Sequence, residues 1–225
     1  MSQLPTQEAS TRLKKIQQII ADADVDACVI TSSVNQYYLL GYIFDGYLYV
    51  MREGDPYLFV KRPTNIKGEG VKPVYKPELI PALLREMGVK PPKQVLLEAD
   101  QLSYSAAVRL QAALEMPKVV NASGELRKAR MVKSEYELEQ MRESARAHAQ
   151  VYETIPSLYR KGMTDLELQI EIERQMRLHG SVGIFRSFGE NMDIFMGSML
   201  AGDNAQVPSP YDYALGGAGV SPLLP

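Results

Sequence analysis

The sequence predicts a two-domain α/β protein. Through roughly the first 125 residues, short β-rich runs alternate with apolar residues at helical spacing, the pattern of strands joined by helices. At Ser134 the character changes to long amphipathic helices, each opened by a Ser/Thr-x-x-Glu box. Strand-like runs return only after Ile184. The expected division is an α/β domain over 1–125, a linker over 126–133 and an α+β portion over 134–225.

Taken in order, Ala9, Leu13, Ile16, Ile20 and Ala23 recur at helical steps and predict a first helix. Ala27-Cys-Val-Ile30 follows as a short buried strand. Tyr47–Met51 and Tyr57–Val60 are β-rich, and the Glu-Gly-Asp-Pro between them has the chemistry of a hairpin turn. Leu79, Ile80, Leu83, Leu84 and Met87 share one helical face that Gly88 closes. Gln94–Leu97 reads as a strand, Tyr104–Leu114 as a helix and Lys118–Val120 as a last short strand.

In the second half, Ser134 can accept from a free backbone N–H while Glu137 reaches back to the serine, a capping box. Beyond it Leu138, Met141, Ala145, His148, Tyr152, Ile155 and Tyr159 mark one stripe of a long helix. Pro156 lacks a donor and crowds the preceding turn, so it should kink that helix or mark its last turn. Thr164 and Glu167 form a second box, opening a helix that runs to about His179 with Gly180 as its left-handed cap. Ile184–Phe188 and Asp193–Leu200 are strand-like, and the prolines and glycines after Val207 read as loop.

Composition narrows the function. With 45% hydrophobic residues the chain can bury sizeable cores. A net charge of −2 without a basic cluster gives no footprint for nucleic acid. The polar start MSQLPTQEAS is not a signal peptide, and no run approaches the ~18 apolar residues of a membrane span. One cysteine, Cys28, rules out an internal disulfide and suits a reducing compartment. The expectation is a cytoplasmic protein with neither nucleic-acid nor membrane partners.

Four segments carry a resemblance. They are Ser32-Ser-Val-Asn35-Gln-Tyr-Tyr38-Leu-Leu-Gly41, Arg130-Met-Val-Lys133-Ser134-Glu-Tyr-Glu137, Gly162-Met-Thr164-Asp-Leu-Glu167-Leu168 and Ala201-Gly202-Asp203-Asn204-Ala205-Gln-Val-Pro208-Ser209. In this order and spacing they resemble the Xaa-Pro peptidases of the creatinase, prolidase and aminopeptidase P group. The resemblance implies a creatinase-like amino-terminal domain followed by the first part of a pita-bread catalytic domain.

It further implies metal-dependent hydrolysis of the bond before a proline, in which two ions lower the pKa of a bridging hydroxide and polarise the carbonyl. The divalent pair expected in a full-length parent is manganese, cobalt or zinc, held by two aspartates, a histidine and two glutamates. In the family those ligands follow the fourth segment. The chain stops at Pro225 before them, so it is expected to bind no metal and to be inactive alone. A homodimer acting on proline-containing peptides is also implied. The fourth segment matches the rim of the family's substrate pocket, which makes Asp203, Asn204 and Ser209 the candidate substrate-binding residues. Ser209 stands where the family usually carries a histidine, and a hydroxyl cannot hold a positive charge near neutral pH. Strict Xaa-Pro specificity is thereby in doubt. The alternatives are a non-catalytic binding or dimerisation module and a creatinase-like amidinohydrolase.

Other features have plainer readings. His148 lies on the apolar stripe and is expected to be a partly buried packing residue; His179 suits the negative end of its helix. Asp22-Ala-Asp24-Val-Asp26 lacks the glycine and glutamate of a calcium loop, with Ala27 and Ser33 in their places. Tyr37, Tyr38, Tyr42, Tyr47 and Tyr49 are expected in the core, with an interface role as the alternative.

Overall fold

The helix-spaced apolar residues of the amino end fold as α1 (Thr6–Asp22), which lays Ile16 and Ile20 onto a sheet begun by β1 (Ala27–Ile30). A computed structural model describes residues 4–186, 193–195 and 199–206. The chain divides into two compact units, Met1–Lys133 and Ser134–Pro225. In the first unit the elements continue as α2 (Ser33–Leu40), β2 (Asp45–Met51), β3 (Tyr57–Arg62), β4 (Val71–Pro73) and α3 (Ile80–Glu86). They end with β5 (Val95–Leu97), α4 (Tyr104–Ala113), β6 (Val120–Asn121) and α5 (Ser123–Ala129). The strands form one mixed sheet in the order β4-β3-β2-β1-β5-β6, the expected α/β class.

The central strand explains why its sequence is a solid apolar run instead of an alternation. β1 pairs antiparallel with β2 and parallel with β5, and the sheet is covered on both faces. Cys28 and Ile30 enter one core with Ile16, Ile20 and Leu126, while Ala27 and Val29 enter the other with Ile80, Leu84 and Leu110. Burial pushes the Cys28 thiol up, and the neighbouring Glu98 adds to the effect, so this cysteine stays protonated and inert. The tyrosine cluster splits: Tyr38, Tyr47 and Tyr49 are buried, whereas Tyr37 is exposed.

The segment expected as a linker from 126 begins inside α5. Leu126 is 1% exposed and packs in the first core, so the helix belongs to the first unit. Only three residues lie between its buried side chain and Arg130, too short a stretch for hydrophobic periodicity to register. The strand β4 was missed for a similar reason, being three residues set among Lys, Gly and Pro. The acidic run before β1 has structural duties: Asp24 pairs with Arg52 at 2.8 Å, and the Asp26 Oδ2 accepts from the Lys93 and Gln94 amides at 2.7 and 3.1 Å.

In the second unit α6 (Glu135–Leu158) and α7 (Asp165–Leu178) are followed by a short antiparallel pair, β7 (Ile184–Arg186) and β8 (Asp193–Phe195). Both capping boxes form, and Pro156 sits in the last turn of α6. His148 is exposed, against the expectation of a partly buried residue. Its ring meets Tyr152 edge-on at 4.7 Å, and Val151 is the one buried residue of α6.

One backbone position is sharply constrained. The β2–β3 register shifts at Asp45/Gly46, where Gly46 has φ +154° and an added Cβ would lie 2.1 Å from the Phe59 carbonyl oxygen. Because that obstacle is backbone in a central strand pair, Gly46→Ala is expected to lower stability by about 3 kcal/mol. Urea unfolding followed by tyrosine fluorescence measures it. A loss under about 0.5 kcal/mol, the range of a neutral surface change, would contradict this packing.

Candidate functional site

Three of the four motif segments are occupied by folding devices. Ser32 caps α2, its oxygen accepting from the Asn35 amide at 3.3 Å, and Gly41 ends the helix with φ +75°. Tyr38 lies under the guanidinium of Arg12, 4.5 Å from the ring centre; that arginine also donates to the Tyr38 carbonyl and to Glu8, both at 2.7 Å. Lys133 donates to the carbonyls of Arg130 and Met131 at 2.9 Å, leading into the Ser134–Glu137 box. Gly162 takes φ +95° just before the Thr164–Glu167 box.

The residue that ties the first segment to the sheet went unnoticed in the sequence. Glu98, directly after β5, is fully buried. Its Oε2 accepts from the Thr31 and Ser32 amides at 2.5 and 2.8 Å, and its Oε1 from the Ser32 hydroxyl and the Asn35 amide nitrogen at 2.6 and 2.5 Å. A glutamate placed immediately after a wholly apolar strand is the signal that could have found it, since a buried carboxylate must be matched by donors. Nearby, Asp100 accepts from Asn121 at 2.6 Å and Arg127 at 3.0 Å, and these hydrogen bonds hold its carboxyl below the usual range. Both carboxylates are engaged by the protein's own donors.

The fourth segment is the candidate site. The chain from Met199 lies against α7: the Met199 amide donates to Gln169 Oε1 at 3.0 Å and the Ala201 amide to Asp165 Oδ2 at 3.3 Å. A single 3-10 turn follows over Gly202–Gln206, entered by Gly202 at φ +64°. Asp203 and Asn204 fall together in that turn, and Asp203 is exposed. Ser209 lies outside the described residues. The arrangement offers a solvent-facing carboxylate on a turn anchored to a capped helix, suited to hydrogen bonding or to pairing with a cationic group.

No group of three or more His, Cys, Asp and Glu among the described residues is placed to hold a metal ion. His179 caps α7, with Nδ1 2.9 Å from the Gln175 carbonyl, and His148 lies against Tyr152 on the other helix. The described donor set does not fit a two-metal centre. Among the same residues no helix is long and apolar enough to cross a membrane.

Residues 12–132 match the Creatinase/Prolidase N-terminal domain. No curated protein matches the chain. Among solved structures, the chain is similar to an Xaa-Pro dipeptidase from Bacillus anthracis, at TM-score 0.64 and 18% identity over 77% of this chain and 50% of that one. An X-Pro aminopeptidase from Thermotoga maritima matches at 0.59 and 20% identity, over 76% of this chain and 50% of that one. A prolidase from Pyrococcus horikoshii matches at 0.60 and 18% identity, over 85% and 56%. The mixed α/β fold is thus shared with these proteins, and the chain spans about half of their length.

The polar contacts of Glu98 in the first unit and of Glu167 in the second are each open to measurement. Replacing Glu98 by Gln turns one acceptor into a donor facing donors, and should cost about 3 kcal/mol of stability in urea unfolding. An unchanged midpoint would mean the network contributes nothing. The Glu167 carboxyl is held below the usual carboxylate range by its hydrogen bonds to the Thr164 amide and hydroxyl, with Arg160 adding a smaller attraction. A depressed folded-state pKa gives stability that is present above the unfolded value and lost as pH falls through the folded one. The amino-terminal turn of α7 should therefore loosen only as pH falls below the ordinary glutamate range, and Thr164→Ala should move the Glu167 titration upward in carboxyl NMR.

Proposed function

The chain belongs to the Creatinase/Prolidase N-terminal domain family, and on that premise we propose that it serves an Xaa-Pro peptidase-type metallohydrolase. The reaction is hydrolysis of the peptide bond before proline in a dipeptide or short peptide. The observation that carries the reading is the family match over 12–132, joined to a fold likeness that reaches beyond it into the second unit. In this reading the first unit is a scaffold, and the turn carrying Asp203 and Asn204 borders the substrate, with Ser209 continuing that border. On the same reading the metal ligands lie outside the described residues, and the chain covers 50% of the length of the Bacillus anthracis and Thermotoga maritima structures. A cytoplasmic homodimer is part of the same proposal.

A second reading, a non-catalytic module for dimerisation, has one observation in its favour. Exposed Tyr37 and Ile43 lie close in sequence to one another, and Ile43 lines an open cleft with Phe44, Asp45, Arg62, Pro63 and Thr64. Such an apolar rim suits a protein partner.

The test is Xaa-Pro dipeptide hydrolysis with manganese against a chelator control, for the 225-residue chain and for a protein of the full length of its structural relatives. The expected outcome is turnover by the longer protein alone. Turnover by the short chain would place the ligands within it and overturn the division of labour. Loss of turnover in both would favour the non-catalytic module. In the longer protein, Ser209→His should raise kcat/KM for Xaa-Pro substrates on the order of 10²-fold, the scale of a restored acid–base or charge-stabilising group.

A further inference from the structure

The contact between α7 and the candidate loop has a geometry that separates it from ordinary packing. Asp165 and Gln169 are four positions apart, so they lie one above the other on a single face of the helix. The rise between them is about 6 Å. The amides that they receive belong to Met199 and Ala201, two residues apart, and two residues of extended chain span about 6.6 Å. The helix and the incoming chain are therefore in step, one acceptor for each alternate amide.

Each acceptor is also oriented by a further contact. The Gln169 Nε2 donates to Glu173 Oε1 at 2.8 Å, one turn further along α7. A carboxylate can only accept, so Glu173 takes the amide's NH2 side and leaves its oxygen facing the Met199 amide. The Asp165 Oδ1 accepts from the Leu166 amide at 2.8 Å, which turns Oδ2 toward Ala201. Immediately after Ala201 the chain enters the turn that holds Asp203 and Asn204.

We propose that Asp165 and Gln169 are positioning residues for the substrate-side loop, with Glu173 setting the orientation of Gln169. They act through the loop backbone and do not touch substrate. This rests on the reading of 199–206 as the substrate border, and it assigns to α7 the task of fixing where Asp203 and Asn204 are presented.

The experiment uses the 15N-labelled 225-residue chain with Gln169→Leu, Asp165→Ala, Asp165→Asn and the exchanged pair Gln169→Glu/Glu173→Gln. Amide hydrogen exchange is read at Met199 and Ala201, with Arg174 and Gln175 as internal controls. Gln169→Leu should speed exchange at Met199 about fivefold, and Asp165→Ala should do the same at Ala201, the effect of losing one net hydrogen bond. Asp165→Asn keeps a single carbonyl oxygen for the Leu166 and Ala201 amides, so protection at Ala201 should return only in part. The exchanged pair keeps both the acceptor for Met199 and the internal donor, and should restore protection at Met199. Unchanged exchange at the loop amides, or equal acceleration at Arg174 and Gln175, overturns the clamp.

A second arm titrates the same samples with the dipeptide Ala-Pro. Shifts confined to 199–206 in the wild type, with at least threefold weaker binding in Gln169→Leu and recovery in the exchanged pair, support the positioning role. If Ala-Pro moves no loop amide in the wild type, the substrate reading of the loop falls together with the positioning role. The exchange arm still decides whether the clamp exists.

Discussion

A carboxylate taken out of water has to be met by donors, and in this protein that requirement falls on the end of β5. Glu98 satisfies it by drawing in the Thr31 and Ser32 amides, the Ser32 hydroxyl and the Asn35 side chain. Those groups come from the exit of β1 and the first turn of α2, so one side chain fixes where the central strand ends and where the next helix begins. Ser32 serves twice, donating to Glu98 while its oxygen accepts from the Asn35 amide as the cap of α2. The other end of α2 is pinned by Arg12, which joins the Tyr38 carbonyl and ring to α1. The position of α2 over the sheet is thus set by polar contacts at both ends, with the apolar core filling what they define.

This arrangement explains what was legible in the sequence. β1 was read to the residue because a run of four apolar residues is bounded on both sides by polar ones. The two boxes at Ser134 and Thr164 were read because the chemistry of a cap is local, complete within four residues. Glu98 could not be read the same way. Its partners lie more than sixty positions away, and nothing in the sequence around 98 names them. The linker expected over 126–133 overlaps the end of α5, because the helix's buried contact, at Ser123 and Leu126, is shorter than one hydrophobic period. The loop at 199–206 is located through a resemblance and not by spacing, and its attachment to α7 depends on pairings thirty and thirty-six residues apart.

The motif residues divide by what they do. Ser32, Asn35, Tyr38, Gly41, Ser134, Glu137, Thr164 and Glu167 all end or begin helices or bind them to their surroundings. A segment typical of a family can therefore carry a fold without carrying chemistry. In the fourth segment, among the described residues, Asp203 is exposed on a turn and faces solvent. This is also why a match over the first domain establishes ancestry and architecture more firmly than it establishes catalysis.

The first turns of α7 bring the two kinds of role together without conflict. A helix advances about 100° per residue, so Thr164 and Glu167 close the cap on themselves while Asp165 and Gln169 share a different face. The cap satisfies amides of the helix's own first turn, and the other face is left to receive the amides of the incoming chain. Stability of the helix and placement of the loop are then controlled by different side chains on the same two turns. A change at Thr164 or Glu167 acts on the loop only by fraying the helix beneath it. A change at Gln169 releases the loop while the helix keeps its cap. That separation lets the loop be repositioned by substitution at one helix face without dismantling the support on which it rests.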